Sequence, residues 1–470
     1  MSGTQPFLIQ SILLNLVIGE LRSLNLDGNL SIKDLDNVKD LTDAKSANLI
    51  LKKNLESLEF FWKEGNGNNN SIEKIEETLC GLQPHSNVKK LMIKRYEGSR
   101  FPNWMMELQL PNLVEISLSC CGRCEHLPPL GKLQFLKILH LYHMDAVKHI
   151  DSEVYKDDES AFPSLESLSL SYMDNLEEWA TAAGRNIFPR LGKLYVRYCK
   201  KLFDLPTIPS VRTLEIAGES ELLLSSVQNF PSITSLKISG FHNMRYFPAG
   251  FLHNHTVLEN LEIVYMKSLK SVANELENLS ALKDLNLEQC YELKSLPEGL
   301  LKLNSLETIH ISACGLVSFP VNGFCGVASL RSLRIQWCDK FTSLSEGVRY
   351  LTALQDLNVW MCSELNSLPK SISHLTALQR LRISSCERLS SLPNEIGFLT
   401  SLQLLEIYGC PNLTCLPQGV QNLKRLRDLS IMDCPVLERR CQKERGKDWP
   451  KIAHIPDIRI GYLLIQRSAP

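Results

Sequence analysis

The sequence lacks the motifs and the charge pattern of an enzyme or of a nucleic-acid-binding protein. It contains no Gly-x-x-x-x-Gly-Lys-[Ser/Thr] phosphate loop, no His-Glu-x-x-His metal motif, no Gly-x-Ser-x-Gly nucleophile motif and no protein-kinase signature. Acidic and basic residues nearly cancel, 52 against 51, so no basic surface for nucleic acid or anionic lipid is indicated. We therefore expect a protein that is not an enzyme and that has no cofactor, no metal ion and no small-molecule site.

Long apolar runs are also missing, and the apolar run near the start does not fit a targeting signal. Phe7 to Ile18 is too short to cross a bilayer. No lysine or arginine precedes it and no small-residue cleavage site follows it, although an export signal would have both. We therefore expect a cytoplasmic protein with no membrane span.

A 24-residue repeat dominates the sequence between residues 258 and 434. Each repeat begins with leucine, two variable residues, an aliphatic residue, one variable residue and another aliphatic residue, as in Leu378, Leu381 and Ile383. In seven of the eight repeats a cysteine follows at position 9. This period and pattern are the signature of leucine-rich repeats. The repeats begin at Leu258, Leu282, Leu306, Leu330, Leu354, Leu378, Leu402 and Leu426.

The repeat predicts an α/β fold of the solenoid type. Positions 4 and 6 point to the same side of a short strand, and one strand cannot bury that apolar side alone, so neighbouring coils must stack. We expect a leucine-rich repeat horseshoe with a parallel β-sheet on the concave face and irregular segments, 3-10 turns or short helices on the convex side. The variable positions 2, 3, 5, 7 and 8 then point away from the core.

Fifteen cysteines raise the alternatives of disulfide bonds and of a metal site. Nine of them, including Cys121 and Cys199 in earlier repeats, occupy position 9. One recurring inward position is typical of small buried apolar side chains, so we expect reduced thiols in the core. Cys120, Cys121 and Cys124 with His126 resemble zinc ligands, but Cys121 already holds the core position and a four-ligand site needs more.

The spacing of the repeats divides the chain into five segments. Before residue 258 the repeat starts are spaced unevenly, by 20 to 29 residues, and such insertions map to loops. The segments are a ragged start at 1–20, divergent first repeats with a helix and a flexible loop at 21–87, irregular leucine-rich repeats at 88–257, regular repeats at 258–436 and a C-terminal cap and tail at 437–470.

Local composition predicts several features outside the regular repeats. Asp40–Lys53 has the apolar spacing of an amphipathic helix, and Ser71 is placed to cap a helix that extends through Leu82. The stretch GNGNNN at 65–70 predicts a flexible loop. The acidic insertion at 151–160 is a solvated loop or, alternatively, a contact for a basic partner. In the cap we expect Trp449 to pack on the last coil.

The outward positions carry tyrosine, tryptophan and arginine, the residues that most often anchor protein interfaces. Trp337 and Trp360 lie on adjacent coils and could share one patch; alternatively, they only pack laterally on each other. Comparable upstream positions hold Tyr142, Tyr172, Tyr195, Arg197 and Tyr198. Our candidate protein-binding residues on the concave face are Tyr265, Arg334, Trp337, Trp360, Arg382 and Tyr408.

Several motifs, taken in order, resemble the leucine-rich-repeat region of plant coiled-coil nucleotide-binding disease-resistance proteins. They are Leu58-Glu-Phe-Phe-Trp62, Gly81-Leu-Gln-Pro-His-Ser-Asn-Val-Lys-Lys-Leu91, Phe101-Pro-Asn-Trp104, Cys124-Glu-His-Leu-Pro-Pro-Leu-Gly131, Glu438-Arg-Arg-Cys-Gln-Lys443 and Ile452-Ala-His-Ile-Pro456. The likeness covers nearly the whole chain, and the order of the motifs makes it specific.

The resemblance implies a role in pathogen sensing. In this family the repeats recognise a pathogen effector or a guarded host protein and also restrain a nucleotide-binding switch. The family's coiled coil and nucleotide-binding module have no counterpart in this sequence, so we expect no nucleotide switching within it. We expect a fragment of a longer protein, a split gene product, or a stand-alone sensor or decoy. Its partner would be an effector, a guarded host protein or a nucleotide-binding module.

Three other functions fit part of the pattern. A substrate-recruiting arm of a ubiquitin ligase would need an F-box-like helical segment, for which residues 1–20 are too short. An extracellular receptor arm would need export and outward glycans. A purely inhibitory clamp would bind a nucleotide-binding partner supplied in trans.

Overall fold

The computed structural model describes residues 10–13, 18–63, 71–155, 160–181, 186–296, 300 and 303–467. The chain divides into two compact units, residues 1–232 (unit 1) and residues 233–470 (unit 2). The predicted flexible loop at 65–70 lies outside the described residues. So do Asp157, Asp158 and Glu159 of the acidic insertion, and residues 1–9 and 14–17 of the ragged start.

The strands of unit 1 follow the repeat. They are β1 Gln10–Leu13, β2 Gly28–Lys33, β3 Leu55–Phe61, β4 Lys90–Lys94, β5 Glu115–Ser119, β6 Ile138–Tyr142, β7 His149–Ile150, β8 Ser160–Ala161, β9 Ser167–Ser171, β10 Glu178–Trp179, β11 Asn186–Ile187, β12 Lys193–Arg197 and β13 Thr213–Ala217. One parallel sheet has the order β1-β2-β3-β4-β5-β6-β9-β12-β13. The short strands β7 with β10, and β8 with β11, form two further parallel pairs.

The strands of unit 2 are more evenly spaced. They are β14 Ser235–Ser239, β15 Asn260–Val264, β16 Asp284–Glu288, β17 Thr308–Ser312, β18 Ser332–Gln336, β19 Asp356–Trp360, β20 Arg380–Ser384, β21 Leu404–Tyr408, β22 Asp428–Met432, β23 Asp457–Ile460 and β24 Leu463–Gln466. β14 to β23 pair in parallel in chain order, and β24 pairs antiparallel with β23. Both units therefore confirm the predicted leucine-rich-repeat solenoid.

Short helices make up part of the return from one strand to the next. The α-helices are α1 Leu41–Ser46, α2 Ile72–Gly81, α3 Asn103–Met106, α4 Ser152–Tyr155, α5 Glu221–Ser225, α6 Ala273–Leu276, α7 Pro435–Arg440 and α8 Trp449–Ile452. The 3-10 helices are Ile18–Ser23, Leu35–Asn37, Leu49–Leu51, Leu130–Lys132 and Ser226–Asn229 in unit 1, and Glu346–Tyr350, Lys370–His374, Asn394–Phe398 and Gln418–Asn422 in unit 2.

The core of each coil is built as the repeat predicts. In β19, Leu357 and Val359 at positions 4 and 6 are fully buried, whereas Asn358 between them faces outward. The thiol of Cys362 at position 9 is also buried, with its Sγ atom 3.6 Å from the carbonyl oxygen of Trp360 and 3.8 Å from that of Ile335. Each regular repeat therefore contributes two aliphatic residues to the apolar core, and seven of the eight also contribute a thiol at position 9.

Neighbouring coils of unit 2 approach closely on the return side. A proline directly precedes three of the 3-10 helices, where its missing N–H group leaves no donor unsatisfied. A Cβ atom on Gly419 would lie 2.0 Å from the carbonyl oxygen of Asn394 in the preceding coil. Glycine at this position therefore allows the two backbones to touch.

The two helices predicted in the first repeats have different outcomes. The helix after Ser71 is confirmed as α2, and the Ser71 hydroxyl accepts a hydrogen bond from the N–H of Lys74 at 3.3 Å. The helix predicted over Asp40–Lys53 is wrong in extent, because α1 ends at Ser46. Asn48 has a left-handed backbone, with φ of 53°, so the chain leaves the α-helical path there and continues as a short 3-10 helix.

The segment after β22 closes unit 2 with α7, α8 and the β23–β24 hairpin. Its centre is the carboxylate of Asp448, which is fully buried. That carboxylate accepts hydrogen bonds from Arg440 and Lys451, each at 2.8 Å, and from the N–H of Leu416 at 3.1 Å. Trp449 begins α8 and is half-buried. A buried ion cluster therefore ties this segment to the repeats.

Candidate functional site

The backbone at position 8 brings outward side chains of neighbouring coils together. At this position all eight regular repeats have a φ between 51° and 60°, a left-handed conformation that side chains other than glycine rarely adopt. The turn sends the next residue, at position 9, into the core. The N–H of Trp337 at position 8 donates to the carbonyl oxygen of Trp360, at position 7 of the next coil, over 3.0 Å. Side chains at positions 8 and 7 of adjacent coils therefore lie side by side.

Trp337 and Trp360 form an exposed aromatic pair at this edge of the sheet. Their ring centroids are 5.1 Å apart and the planes meet at 66°, an edge-to-face contact. Even so, 46% of Trp337 and 36% of Trp360 remain exposed. The rings contact each other, yet more than a third of each residue stays exposed, so apolar surface remains open to solvent.

Arg334 lies on the same coil as Trp337 and is exposed. Within the described part of the chain, its guanidinium has no carboxylate within ion-pair distance, whereas Arg331 of the same repeat approaches Glu307 at 3.8 Å. Arg334 pairs in register with Asn358, two residues before Trp360 on the same face of the sheet. Arg334 and the two indoles therefore lie on one stretch of sheet spanning two adjacent coils.

Arg382 differs from Arg334 because its guanidinium is engaged within the chain. Its Nε atom donates to Glu406 at 2.8 Å and its Nη1 atom donates to Asp356 at 3.1 Å. Asp356 is almost buried and also faces Arg380 at 3.5 Å. Arg382 therefore ties three neighbouring strands together, and less of its hydrogen-bonding capacity is left for a partner.

Tyr265 and Tyr408 stand on either side of this group. Tyr265 lies three coils before Trp337, where its ring contacts that of His242 edge-to-face and lies 5.1 Å from the Nζ atom of Lys267. Tyr408 lies at position 7, two coils after Trp360, and 40% of it is exposed. A hydrogen bond to the Asp433 carboxylate raises the pKa of Tyr408.

The structure thus places five of the six predicted residues on four consecutive coils of unit 2, and Tyr265 farther along the same face. We call Arg334, Trp337 and Trp360 the tryptophan–arginine cluster. It combines the aromatic and arginine side chains that carry most binding energy at protein interfaces.

A second aromatic group lies on the sheet of unit 1, where our sequence-based selection was incomplete. His143, Tyr172 and Tyr198 occupy position 8 of three successive coils, and their rings stack with centroids 5.0 Å apart at each step. Tyr142 meets His143 edge-to-face at 4.5 Å. His143 was missed, and the signal that finds it is aromatic residues recurring at position 8.

Nothing in the described ranges of the chain groups three or more His, Cys, Asp or Glu side chains so that they could hold a metal ion. In the cysteine-rich stretch, the Sγ atom of Cys124 lies 3.2 Å from the carbonyl oxygen of Gly98. Burial raises the pKa of the Cys121 thiol to about 12, which disfavours the thiolate that metal binding needs. In the same ranges no helix has the length and apolar character needed to cross a membrane.

Two repeat families match the chain. The family described as R13L1/DRL21 LRRs matches residues 18–144. The family described as leucine-rich repeat region matches residues 252–385 and, overlapping with these, 317–448. Both are repeat families, and neither is a family of enzymes.

Curated relatives that match the chain include plant disease resistance proteins. The putative disease resistance protein RGA1 of Solanum bulbocastanum is 35% identical over 260 residues, which are 55% of this chain and 26% of the relative. The putative disease resistance RPP13-like protein 1 of Arabidopsis thaliana is 36% identical over 217 residues, 42% of this chain and 21% of the relative. The chain thus spans about a quarter of the length of these relatives.

Solved structures agree on the fold. A TLR13–ssRNA13 complex contains a chain that matches 96% of this one with a TM-score of 0.65 and 18% identity, and the match covers 67% of that chain. A Drosophila Toll–Spatzle complex contains a chain that matches 90% of this one with a TM-score of 0.61 and 14% identity, covering 57% of that chain. At such identities the likeness speaks for the fold alone.

Proposed function

Because the chain is a leucine-rich-repeat solenoid similar in sequence to plant disease resistance proteins, we propose that it is a non-catalytic protein-binding element of plant defence. Its partner is a pathogen effector or a guarded host protein. The relatives' names motivate the defence role, and the repeat families support binding rather than catalysis.

The tryptophan–arginine cluster is the observation that supports this proposal most strongly. Exposed tryptophan is uncommon on a protein surface unless something covers it, because each indole has a large apolar area. Here two indoles are held rigid by their mutual contact, so little conformational entropy is lost when a partner covers them. Arg334 adds a charged donor beside them, and its free guanidinium fits a carboxylate of the partner.

The same surface is also suited to restraining a nucleotide-binding module of a disease-resistance protein. A restraining contact must be broken when the switch turns on, so it needs a compact set of anchors rather than a large buried area. Three anchors on two adjacent coils meet that need. Effector recognition and restraint could therefore compete for one surface.

The cysteines support placing the protein in the cytoplasm. All fifteen are free thiols in the structure, and eleven of these, including the whole position-9 column, are buried. Free thiols at this density are typical of a reducing compartment, whereas exported repeat proteins form disulfide bonds.

Immunoprecipitation from infected and uninfected leaves, followed by quantitative mass spectrometry, tests the proposed function. We expect proteins captured by the wild type to be lost with a Trp337→Ala/Trp360→Ala double variant and to be reduced with Arg334→Ala. Phe398→Ala is the matched control, because Phe398 is an exposed aromatic residue on the return side of unit 2.

The origin of the lost protein distinguishes the partners: a pathogen-encoded protein indicates effector binding, and a host nucleotide-binding protein indicates restraint. Equal capture by the wild type and by the folded double variant would contradict the proposal.

A further inference from the structure

The sheet of unit 2 ends in a strand with an open edge. β24 pairs antiparallel with β23 along one side, with Arg459 opposite Leu464 and Ile460 opposite Leu463. In the part of the chain that the structure describes, no strand pairs with the other side of β24. An open edge presents a row of backbone N–H and C=O groups that can pair with another strand.

The side chains around this edge are apolar and exposed. Tyr462 is 82% exposed, Leu463 68% and Leu464 51%. Natural edge strands usually carry lysine, another charge or proline to prevent pairing with a further chain. β24, with the sequence Leu-Leu-Ile-Gln, has none of these, so nothing in its sequence opposes an added strand.

We propose that this edge is a self-association surface, on which β24 of a second copy of the chain pairs antiparallel with β24 of the first. A strand paired antiparallel with its own copy is related to it by a two-fold axis, so each copy contributes the same residues and the assembly closes as a dimer. The added strand continues the antiparallel pairing of β23 and β24, and it places the exposed leucines of the two copies next to each other on the faces of the enlarged sheet.

The charges at the two ends of β24 are complementary in this arrangement. At its start, Tyr462 donates a hydrogen bond to the Asp433 carboxylate at 3.2 Å, and the carboxylate of Glu438 lies beside Gly461. At its end stands Arg467, which is exposed and has no ion-pair partner among the described residues. Antiparallel pairing brings the start of each strand to the end of the other, so Arg467 of one copy approaches the negative start of its partner.

The surface that β24 pairing would bury is small, so we expect the dimer to be weak. Four residues of strand and three exposed apolar side chains per copy bury less area than a stable protein interface requires. The dimer should therefore form at high protein concentration and dissociate on dilution. This self-association does not depend on the proposed defence function, because it uses the end of the sheet and leaves Trp337 and Trp360 free.

Sedimentation velocity of the full chain, over about a hundredfold range of protein concentration, tests the proposal. We expect the sedimentation coefficient of the wild type to rise from the monomer value toward the dimer value. Leu464→Lys places like charges across the two-fold axis and should abolish the rise, and Arg467→Glu should weaken it. Phe398→Lys, which changes an equally exposed apolar residue on the return side, should keep it.

Three results would overturn the proposal. They are a wild type that stays monomeric at the highest concentration, self-association that survives both β24 variants, and self-association that Phe398→Lys also removes. Circular dichroism and thermal unfolding of each variant confirm that the compared proteins are folded.

Discussion

Trp360 and Trp337 contact each other edge-to-face because position 7 of one coil lies beside position 8 of the coil before it. The contact depends on backbone geometry as well as on the two side chains: the left-handed turn at Trp337 sets the direction of its side chain. This arrangement of positions recurs along the sheet, and here it is occupied by two tryptophans.

The contact predicts that the two tryptophans are energetically coupled in the free protein. In a double-mutant cycle with Trp337→Ala and Trp360→Ala, we expect a coupling of about 0.5–1.5 kcal/mol, the usual value of an aromatic pair beyond its buried area. Denaturant unfolding of the wild type, both single variants and the double variant measures it. Strictly additive effects would mean that the rings are independent.

Asp448 predicts an acid-sensitive C-terminal segment. Burial by itself would raise the pKa of its carboxyl, but the hydrogen bonds from Arg440, Lys451 and the N–H of Leu416 outweigh burial and hold that pKa below its ordinary value. The pKa of an aspartate in the unfolded chain is about 3.9. Above that pH, a carboxylate whose pKa is lowered in the folded state contributes its full stabilisation, which is lost as the pH falls through the folded-state pKa.

Asp448→Asn should therefore lower the free energy of unfolding by roughly 1.5–3 kcal/mol at neutral pH, the range for hydrogen bonds to a charged group. The difference from the wild type should shrink as the solution is acidified below the unfolded pKa. Glu444→Gln, which changes an exposed carboxylate of the same segment, is the control and should have little effect. An Asp448→Asn protein with wild-type stability at neutral pH would show that the ion cluster does not anchor the segment.

The thiol column predicts selective chemical labelling. Burial raises the pKa of Cys338 and of Cys362 to about 12, so almost no thiolate forms at pH 8. In the native protein, iodoacetamide should modify the exposed Cys80 and Cys325 first. The column should react only after urea unfolds the chain. Mass spectrometry of labelled peptides checks this, and native labelling of the column would show that the coils open.

The left-handed turns predict a sharp difference between two adjacent serines. Ser385 at position 8 has a φ of 52°, whereas Ser384 lies within β20. Ser385→Val should destabilise the protein by about 1–2 kcal/mol, because a β-branched residue is strained in this region. Ser384→Val should be nearly neutral, and Ser385→Gly neutral or stabilising. The unfolding midpoints of the three variants test this prediction. Equal losses of stability for Ser385→Val and Ser384→Val would contradict the left-handed turn at position 8.

The repeat itself was predictable because its period follows directly from stacking. Positions 4 and 6 must be apolar in every coil, so Leu357 and Val359 could be assigned to the core from the sequence. The N-terminal cap of α2 by Ser71 was equally predictable, because a serine before a helix accepts a hydrogen bond from a free backbone N–H group. Local rules of this kind do not depend on the rest of the fold.

Other features were not predictable because they depend on neighbours from another coil. Arg382 and Arg334 occupy the same position in their repeats, and only the surrounding carboxylates make one an internal tie and leave the other free. From the sequence, Trp449 was the residue of the C-terminal segment expected to pack on the last coil. The fully buried residue at the centre of that segment is instead its neighbour Asp448. The left-handed turn at position 8 could not be predicted from the sequence, because histidine, tyrosine and tryptophan occupy this position where glycine would be expected.

Site-specific photo-crosslinking tests most directly whether the tryptophan–arginine cluster is the binding surface. Benzoylphenylalanine replaces Trp360 in one protein and Phe398 in another, so the same probe is presented on the sheet and on the return side. After irradiation in infected leaves, we predict a discrete covalent adduct with one protein from position 360 and none from position 398. An adduct from position 398 alone, or the same adducts from both positions, would contradict the account.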